Sequence, residues 1–412
     1  MATRTSACLP WRRLGYVGAV WLTFALCPGH VLRAAESDFS NPPSSNPIVV
    51  TLDYQETDYS VNNCNVSLTV QTVPFKKEPA AASGRIIRGV FNFGGDSRDA
   101  TPFLWQRDAG KLYLDLNRNR DLTDDPGGVF VAPAARPAYS QVFTNIHLVF
   151  NTASGSRRAL VDITLWDYGS QPMCFRAARS FWQCKLTLQG RDWQAGIVQN
   201  SLNPSDSFEN SRLLLRPWEK RHQPFNAEGG SLVCVPFSRK LFLEGRAYQL
   251  ETMTRSQNGE ARPALKFTEQ SVALGAVNVT GQFIRRLVLP DGPYLAVLDR
   301  PAGVMKIPTG SYGQPSIELE HNGAEAFCTP GPFQTGETLT VDGKTPAALK
   351  VGGPLTNSVA ASRRGQDLRL DYNLVGAGGE IYQLATQDRS KPPEFAIYKG
   401  ARKIASGTFE FG

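Results

Sequence analysis

Apolar and polar positions alternate along most of this chain with a period of two. The pattern is plain in Ile48–Leu52, Val66–Val70, Ile86–Phe93, Leu112–Leu116, Ile146–Phe150, Leu160–Trp166, Lys185–Leu188 and Leu232–Val235. It continues in Phe283–Leu289, Tyr294–Leu298, Val304–Ile307, Ile317–Leu319, Leu368–Tyr372, Glu380–Leu384, Phe395–Tyr398 and Thr408–Phe411. Successive side chains of a strand point to opposite faces, so short alternating runs punctuated by Gly, Pro, Asn and Asp predict half-buried strands. No long stretch carries the 3.6-residue spacing of an amphipathic helix. The expected fold class is all-β, built as two or three β-sandwich or barrel-like domains.

Segment boundaries follow from composition. Residues 36–46 are rich in Ser, Asn and Pro and read as a flexible leader. The tryptophans Trp105, Trp166, Trp182, Trp193 and Trp218 all fall before residue 220, which suggests one large N-terminal β domain over 47–270. A small β-sandwich module is expected over 271–342 and a C-terminal module over 343–412. The segment Asp299-Arg-Pro-Ala-Gly-Val-Met-Lys-Ile-Pro-Thr-Gly-Ser-Tyr312 resembles the strand-and-turn pattern of transthyretin-like and carboxypeptidase-regulatory-like modules. The last unit is similar to a small immunoglobulin-like sandwich. Both likenesses imply binding or spacing roles.

The chain has 412 residues and a formal net charge of +7. Four bases, Arg4, Arg12, Arg13 and Arg33, lie in the first 35 residues, where there is no acid; removing them from 44 leaves 40 against 37 acids, a net of +3. A balance so near neutral does not suggest a nucleic-acid partner, which needs clustered bases. Arg12 and Arg13 precede an apolar run from Leu14 to Cys27, too short for comfortable bilayer crossing and suited to a secretory signal. Residues 1–35 are therefore expected to be a signal peptide, and the mature chain to lack a transmembrane segment. The protein is expected to be secreted, periplasmic or on the cell surface.

Five cysteines follow the signal: Cys64, Cys174, Cys184, Cys234 and Cys328. In an oxidising compartment some should pair. Cys174 and Cys184 are the best-placed pair, at the two ends of an expected hairpin; five unpaired thiols is the alternative. His147, His222 and His321 are far apart, so a histidine-based zinc site is not supported.

One motif carries specific chemistry: Asp115-Leu-Asn117-Arg-Asn119-Arg-Asp121-Leu-Thr123-Asp124-Asp125. Oxygen side chains alternating in a tight turn converge on one point, which suits a hard cation such as Ca²⁺. The run resembles the calcium loops of EF-hand, dockerin and integrin-type repeats, D-x-[DN]-x-[DN]. That likeness implies metal ligation by Asp115, Asn117, Asn119 and the Asp121 carbonyl, with Asp124 or Asp125 supplying a further carboxylate. Leu122 occupies the position that pins such loops to a core. Three positions depart from the pattern. Arg120 stands where the turn favours Gly, Thr123 where integrin-type loops carry Asp, and Pro126 where an EF-hand closes with a carboxylate. The flanking run Lys111–Leu116 reads as a strand, so the expectation is a strand-borne calcium loop. The competing reading is a polar turn stabilised by Asn and Asp. Asn200, Asn203, Asp206 and Glu209 form a fainter second polar loop.

Other constellations are weaker. Gly95-Asp96-Ser97 lacks the helix and late histidine that a serine nucleophile requires. Gly376-Ala-Gly378-Gly379 lies between two strand runs and reads as a hairpin turn. Glu318 and Glu320 share a strand face and read by default as exposed charge, with a glycosidase-type carboxylate pair the alternative. Trp182 and Trp193 read as core residues, as tryptophans of β domains usually are, with a sugar-stacking platform the alternative. The whole arrangement resembles secreted bacterial proteins assembled from β modules. The leading expectation is a non-catalytic binding or structural protein with a structural calcium loop and an extracellular protein or glycan as partner. The alternatives are a carbohydrate-active hydrolase using paired carboxylates and a cell-surface adhesive module array.

Overall fold

The computed structural model describes residues 46–410 apart from 71–73, 81–83, 94–99, 134–139, 153–154, 170–171, 201, 203–207, 226–231, 259, 331–337, 366 and 386–391. The segment read as signal and leader, the Gly95-Asp96-Ser97 run and most of the second polar loop lie outside the described residues. The fold is all-β, arranged as several sheets; the described residues contain no α-helix, only 3-10 turns such as Pro126–Gly128 and Trp218–Lys220. The chain divides between Ser271 and Val272 into two compact units.

In the first unit, an antiparallel run passes from Val129–Val131 through Lys111–Leu114, Thr101–Gln106, Ile86–Asn92 and Asn62–Val70. It continues through Pro172–Ala178 and Gly155–Asp167 to Ser140–Thr152. Alternation decides which side chains enter the core. Along Ile86–Asn92, Ile87, Gly89 and Phe91 face inward while their neighbours are partly exposed. Gly89 is required by a close approach, because a Cβ there would lie 2.9 Å from the Phe103 ring. Phe103 can thereby stack on Phe91 with ring centres 4.2 Å apart. Phe143, Ile146, Val161, Ile163 and Leu165 close the same core. Each such large apolar side chain contributes about 1.5–3 kcal/mol on burial. Trp105 is buried and its Nε1 donates to Gln141 Oε1 at 2.7 Å.

A second antiparallel sheet runs Asp53–Glu56, Ser180–Leu188, Arg191–Val198, Arg212–Pro217, Cys234–Pro236. Trp182 and Trp193 lie on it, 1% and 0% exposed, so neither ring offers a face to a sugar. The expected Cys174–Cys184 disulfide is absent: all five described cysteines are free. The two strands that carry these residues do not form a hairpin. The chain turns at Arg179, whose N–H donates to Leu160 O at 2.9 Å, and Ser180–Leu188 enters the other sheet.

In the second unit, one antiparallel sheet runs Leu295–Asp299, Ile284–Leu289, Ser316–His321, Ala324–Cys328, Ile381–Leu384, Asp367–Val375, Thr356–Arg364. A three-stranded sheet places Leu274–Thr280 between Gly303–Pro308, antiparallel, and Ala347–Lys350, parallel. Residues on both sides of position 343 thus share one sheet. A last hairpin pairs Glu394–Lys399 with Arg402–Thr408.

Candidate functional site

The acidic loop follows directly from the strand Lys111–Leu114. Asp115 N–H donates to Pro102 O at 3.0 Å, and its side chain is fully buried. Its carboxylate then organises the turn. Oδ1 accepts the Asn119 N–H at 3.1 Å and Oδ2 the Arg120 N–H at 2.9 Å. Three local bonds repeat at two-residue steps. Asn119 N–H donates to Asn117 Oδ1 at 2.9 Å, Asp121 N–H to Asn119 Oδ1 at 2.6 Å, and Thr123 N–H to Asp121 Oδ1 at 2.9 Å. Asn and Asp form such turns because their short side chains reach a backbone N–H two residues on.

Arg120, where a glycine was expected, takes the left-handed conformation with φ 68°, and Arg118 has φ 60°. For residues with a Cβ this costs roughly 1–2 kcal/mol each. The hydrogen bonds to Asp115 hold the backbone there despite that cost. The far side of the loop is pinned by a distant segment: Lys76 N–H donates to Arg120 O at 2.8 Å and Leu122 N–H to Lys77 O at 3.1 Å. Leu122 is buried and packs with Leu104 and Tyr113, backed by Phe75 and Ile86.

Of the six candidate ligands, the side chains of Asp115, Asn117, Asn119 and Asp124 are drawn into one hydrogen-bonded web. Asp124 accepts from Asn117 Nδ2 at 3.1 Å and from Asn119 Nδ2 at 2.6 Å. Asp125 Oδ2 accepts the Leu116 N–H at 3.1 Å. Asp121 joins the web only through its N–H; its carboxylate turns to the Thr123 N–H and hydroxyl, at 2.9 and 2.6 Å. Pro126 opens a 3-10 turn closed by Gly128 N–H to Asp125 O at 2.9 Å.

Burial pushes the Asp115 carboxyl above its ordinary range, against the pull of the Arg120, Asn119 and Arg118 N–H groups and with added repulsion from Asp124. Burial likewise raises Asp125, with Asp115 and Asp124 adding repulsion. The Thr123 hydroxyl and N–H, followed by Lys77 and Lys76, hold Asp121 below its ordinary value. The loop therefore gathers negative charge that its backbone donors offset only in part. Among the described residues, no three His, Cys, Asp or Glu side chains converge as a group able to hold a metal.

A cavity of about 260 Å³ borders the loop. Leu116, Asn117, Arg118 and Asp125 line it with Thr101 and the strand residues His147–Phe150. It contains one carboxylate and no facing pair. His147 is exposed on its alternating strand, with Nδ1 3.7 Å from Glu56 Oε1. Glu318, 3% exposed, and Glu320 both approach Arg285, at 3.3 and 3.4 Å. Gly376–Gly379 forms the turn between two strands, Gly379 N–H donating to Gly376 O at 3.1 Å. Lys76 and Lys77 escape sequence reading because nothing local marks residues some forty positions away as loop supports.

The chain matches no protein-family model, no curated protein and no solved structure in comparisons with all three. No described helix is long and apolar enough to cross a membrane.

Proposed function

We propose that the chain is a secreted or periplasmic non-catalytic binding or structural protein whose loop Asp115–Asp125 is stiffened by calcium. The observation that carries this reading is the fully buried Asp115 carboxylate, which binds the Asn119 and Arg120 N–H groups around a left-handed Arg120. A polar turn needs no buried carboxylate, whereas a cation offsets the repulsion that Asp115, Asp124 and Asp125 exert on one another. The donor types suit a hard cation: Asp115, Asp124 and Asp125 carboxylates, the Asn117 and Asn119 side-chain oxygens, and the Asp121 carbonyl. Since the carboxylates do not converge as one group among the described residues, the cation would have to draw them together. Bound calcium would supply charge neutralisation and fixed geometry; the chain's own groups order the loop. Stabilisation grows as ln(1 + [Ca²⁺]/Kd), reaching about 2.7 kcal/mol at one hundred times Kd.

The test is calorimetry of the full chain. Millimolar Ca²⁺ should raise the melting temperature relative to a chelator, and Asp115→Ala should abolish the difference. Identical wild-type melts in both conditions would overturn the proposal.

A further inference from the structure

The strands Thr356–Arg364 and Asp367–Val375 pair without a shift from Thr356↔Val375 to Arg364↔Asp367. A third strand, Ile381–Leu384, backs only Leu374 and Val375. Among the described residues, the hairpin beyond Leu374 is thus a two-stranded ribbon, and eight of the nine residues of Thr356–Arg364 are exposed. Such a ribbon is marginal by itself, and its edges present backbone donors and acceptors able to pair with another chain.

The ribbon is two-faced. Leu368, Leu370 and Tyr372 share one face with Arg363, Ala361 and Val359 across the ladder, while Asp367, Arg369, Asp371 and Asn373 share the other. Tyr372 packs on Phe409, ring centres 5.4 Å apart, and its hydroxyl donates to Asn357 Oδ1 at 2.6 Å. Leu368 is 49% exposed and Val359 47%. No proline or bulge blunts the segment Asp367–Asn373.

We propose that this edge pairs antiparallel with the same edge of a second copy of the chain, Leu370 opposite Leu370 of the partner subunit. The order Leu368-Arg369-Leu370-Asp371-Tyr372 is self-complementary in that register. Arg369 faces the partner's Asp371 and Asp371 faces the partner's Arg369, while Leu368 meets the partner's Tyr372. Opposite charges across strands stabilise and like charges destabilise. Parallel in-register pairing would set Arg against Arg and Asp against Asp, so charge selects the antiparallel arrangement. Both apolar stripes fall on the same face, giving a continuous four-stranded sheet. The ribbon's other edge offers no such match, because antiparallel pairing about Ala360 sets Arg363 against a neutral Asn357. Within one chain Arg369 Nε lies 2.9 Å from Asp371 Oδ1, an ion pair with Arg369 77% exposed, so little is lost when these groups turn to a partner. The two-fold uses each edge once and closes.

Sedimentation velocity of the full chain across the micromolar range tests the pairing. The wild type should approach twice the single-chain mass of 45.1 kDa. Arg369→Asp and Asp371→Arg should each sediment as single chains while keeping the wild-type far-ultraviolet circular-dichroism spectrum. An equimolar mixture of the two should recover the dimer, since every cross-strand pair is then opposite in charge. The double variant R369D/D371R should also dimerise. A wild type that stays single throughout, single variants that dimerise undiminished, or a mixture that stays single would each overturn the proposal.

Discussion

Replacing Leu122 with alanine tests whether the acidic loop is held by packing as well as by its own hydrogen bonds. Leu122 is 2% exposed and sits in a small cluster with Leu104 and Tyr113, flanked by Phe75 and Ile86. Leu→Ala in a core costs about 2–5 kcal/mol. This cluster is small and two of its members are only partly buried, so the cavity collapses in part and the lower end applies, about 2–3 kcal/mol. For a unit of this size each kcal/mol moves the midpoint by about 2–4 °C, which predicts a fall of roughly 4–12 °C by differential scanning calorimetry. The variant keeps every oxygen of the loop. Its stabilisation by calcium should therefore persist, with weaker apparent affinity, because an unpinned loop loses more entropy on ordering. A midpoint unchanged within about 1 °C would show that Leu122 does not anchor the loop and would refute the packing argument.

Two further outcomes follow from the same structure. Because burial raises the folded-state pKa of Asp115 and Asp125, the folded chain holds their protons more tightly than the unfolded chain. Their stabilising contribution is full below the ordinary carboxylate value and is lost as pH rises through the raised values. Calcium-free urea unfolding from acid towards neutral pH should show that loss, reduced by saturating Ca²⁺ and by the double variant Asp115→Asn/Asp125→Asn; a calcium-free slope identical in wild type and double variant would contradict it. Alkylation of the denatured, unreduced chain should label Cys174 and Cys184 as fully as after reduction, whereas a cystine-linked peptide joining them would disprove the free-thiol state.

Much of the acidic loop was legible before folding. The Asx steps of Asn117, Asn119 and Asp121 act over two residues, and Leu122 is marked by its place in the motif. The behaviour of Arg120 was not. Its side chain argued against a left-handed turn, but Asp115 supplies two acceptor oxygens to the turn's N–H groups and stabilises the conformation regardless. The supports at Lys76 and Lys77 had no sequence signal, since each depends on where another segment passes.

The amino-acid order alone determined the all-β class, because side-chain alternation is a property of each strand and needs no partner to be read. Sheet membership was decided only by tertiary structure. Cys174 and Cys184 occupy neighbouring alternating runs, yet a turn at Arg179 sends them into separate sheets. Trp182 and Trp193 sit in the core, as tryptophans of β domains usually do; the sheet that holds them was settled by tertiary pairing. Alternation sets the two faces of a strand; which face is buried, and beside which neighbour, is settled by contacts between segments far apart in the chain, and those follow from packing the whole unit at once.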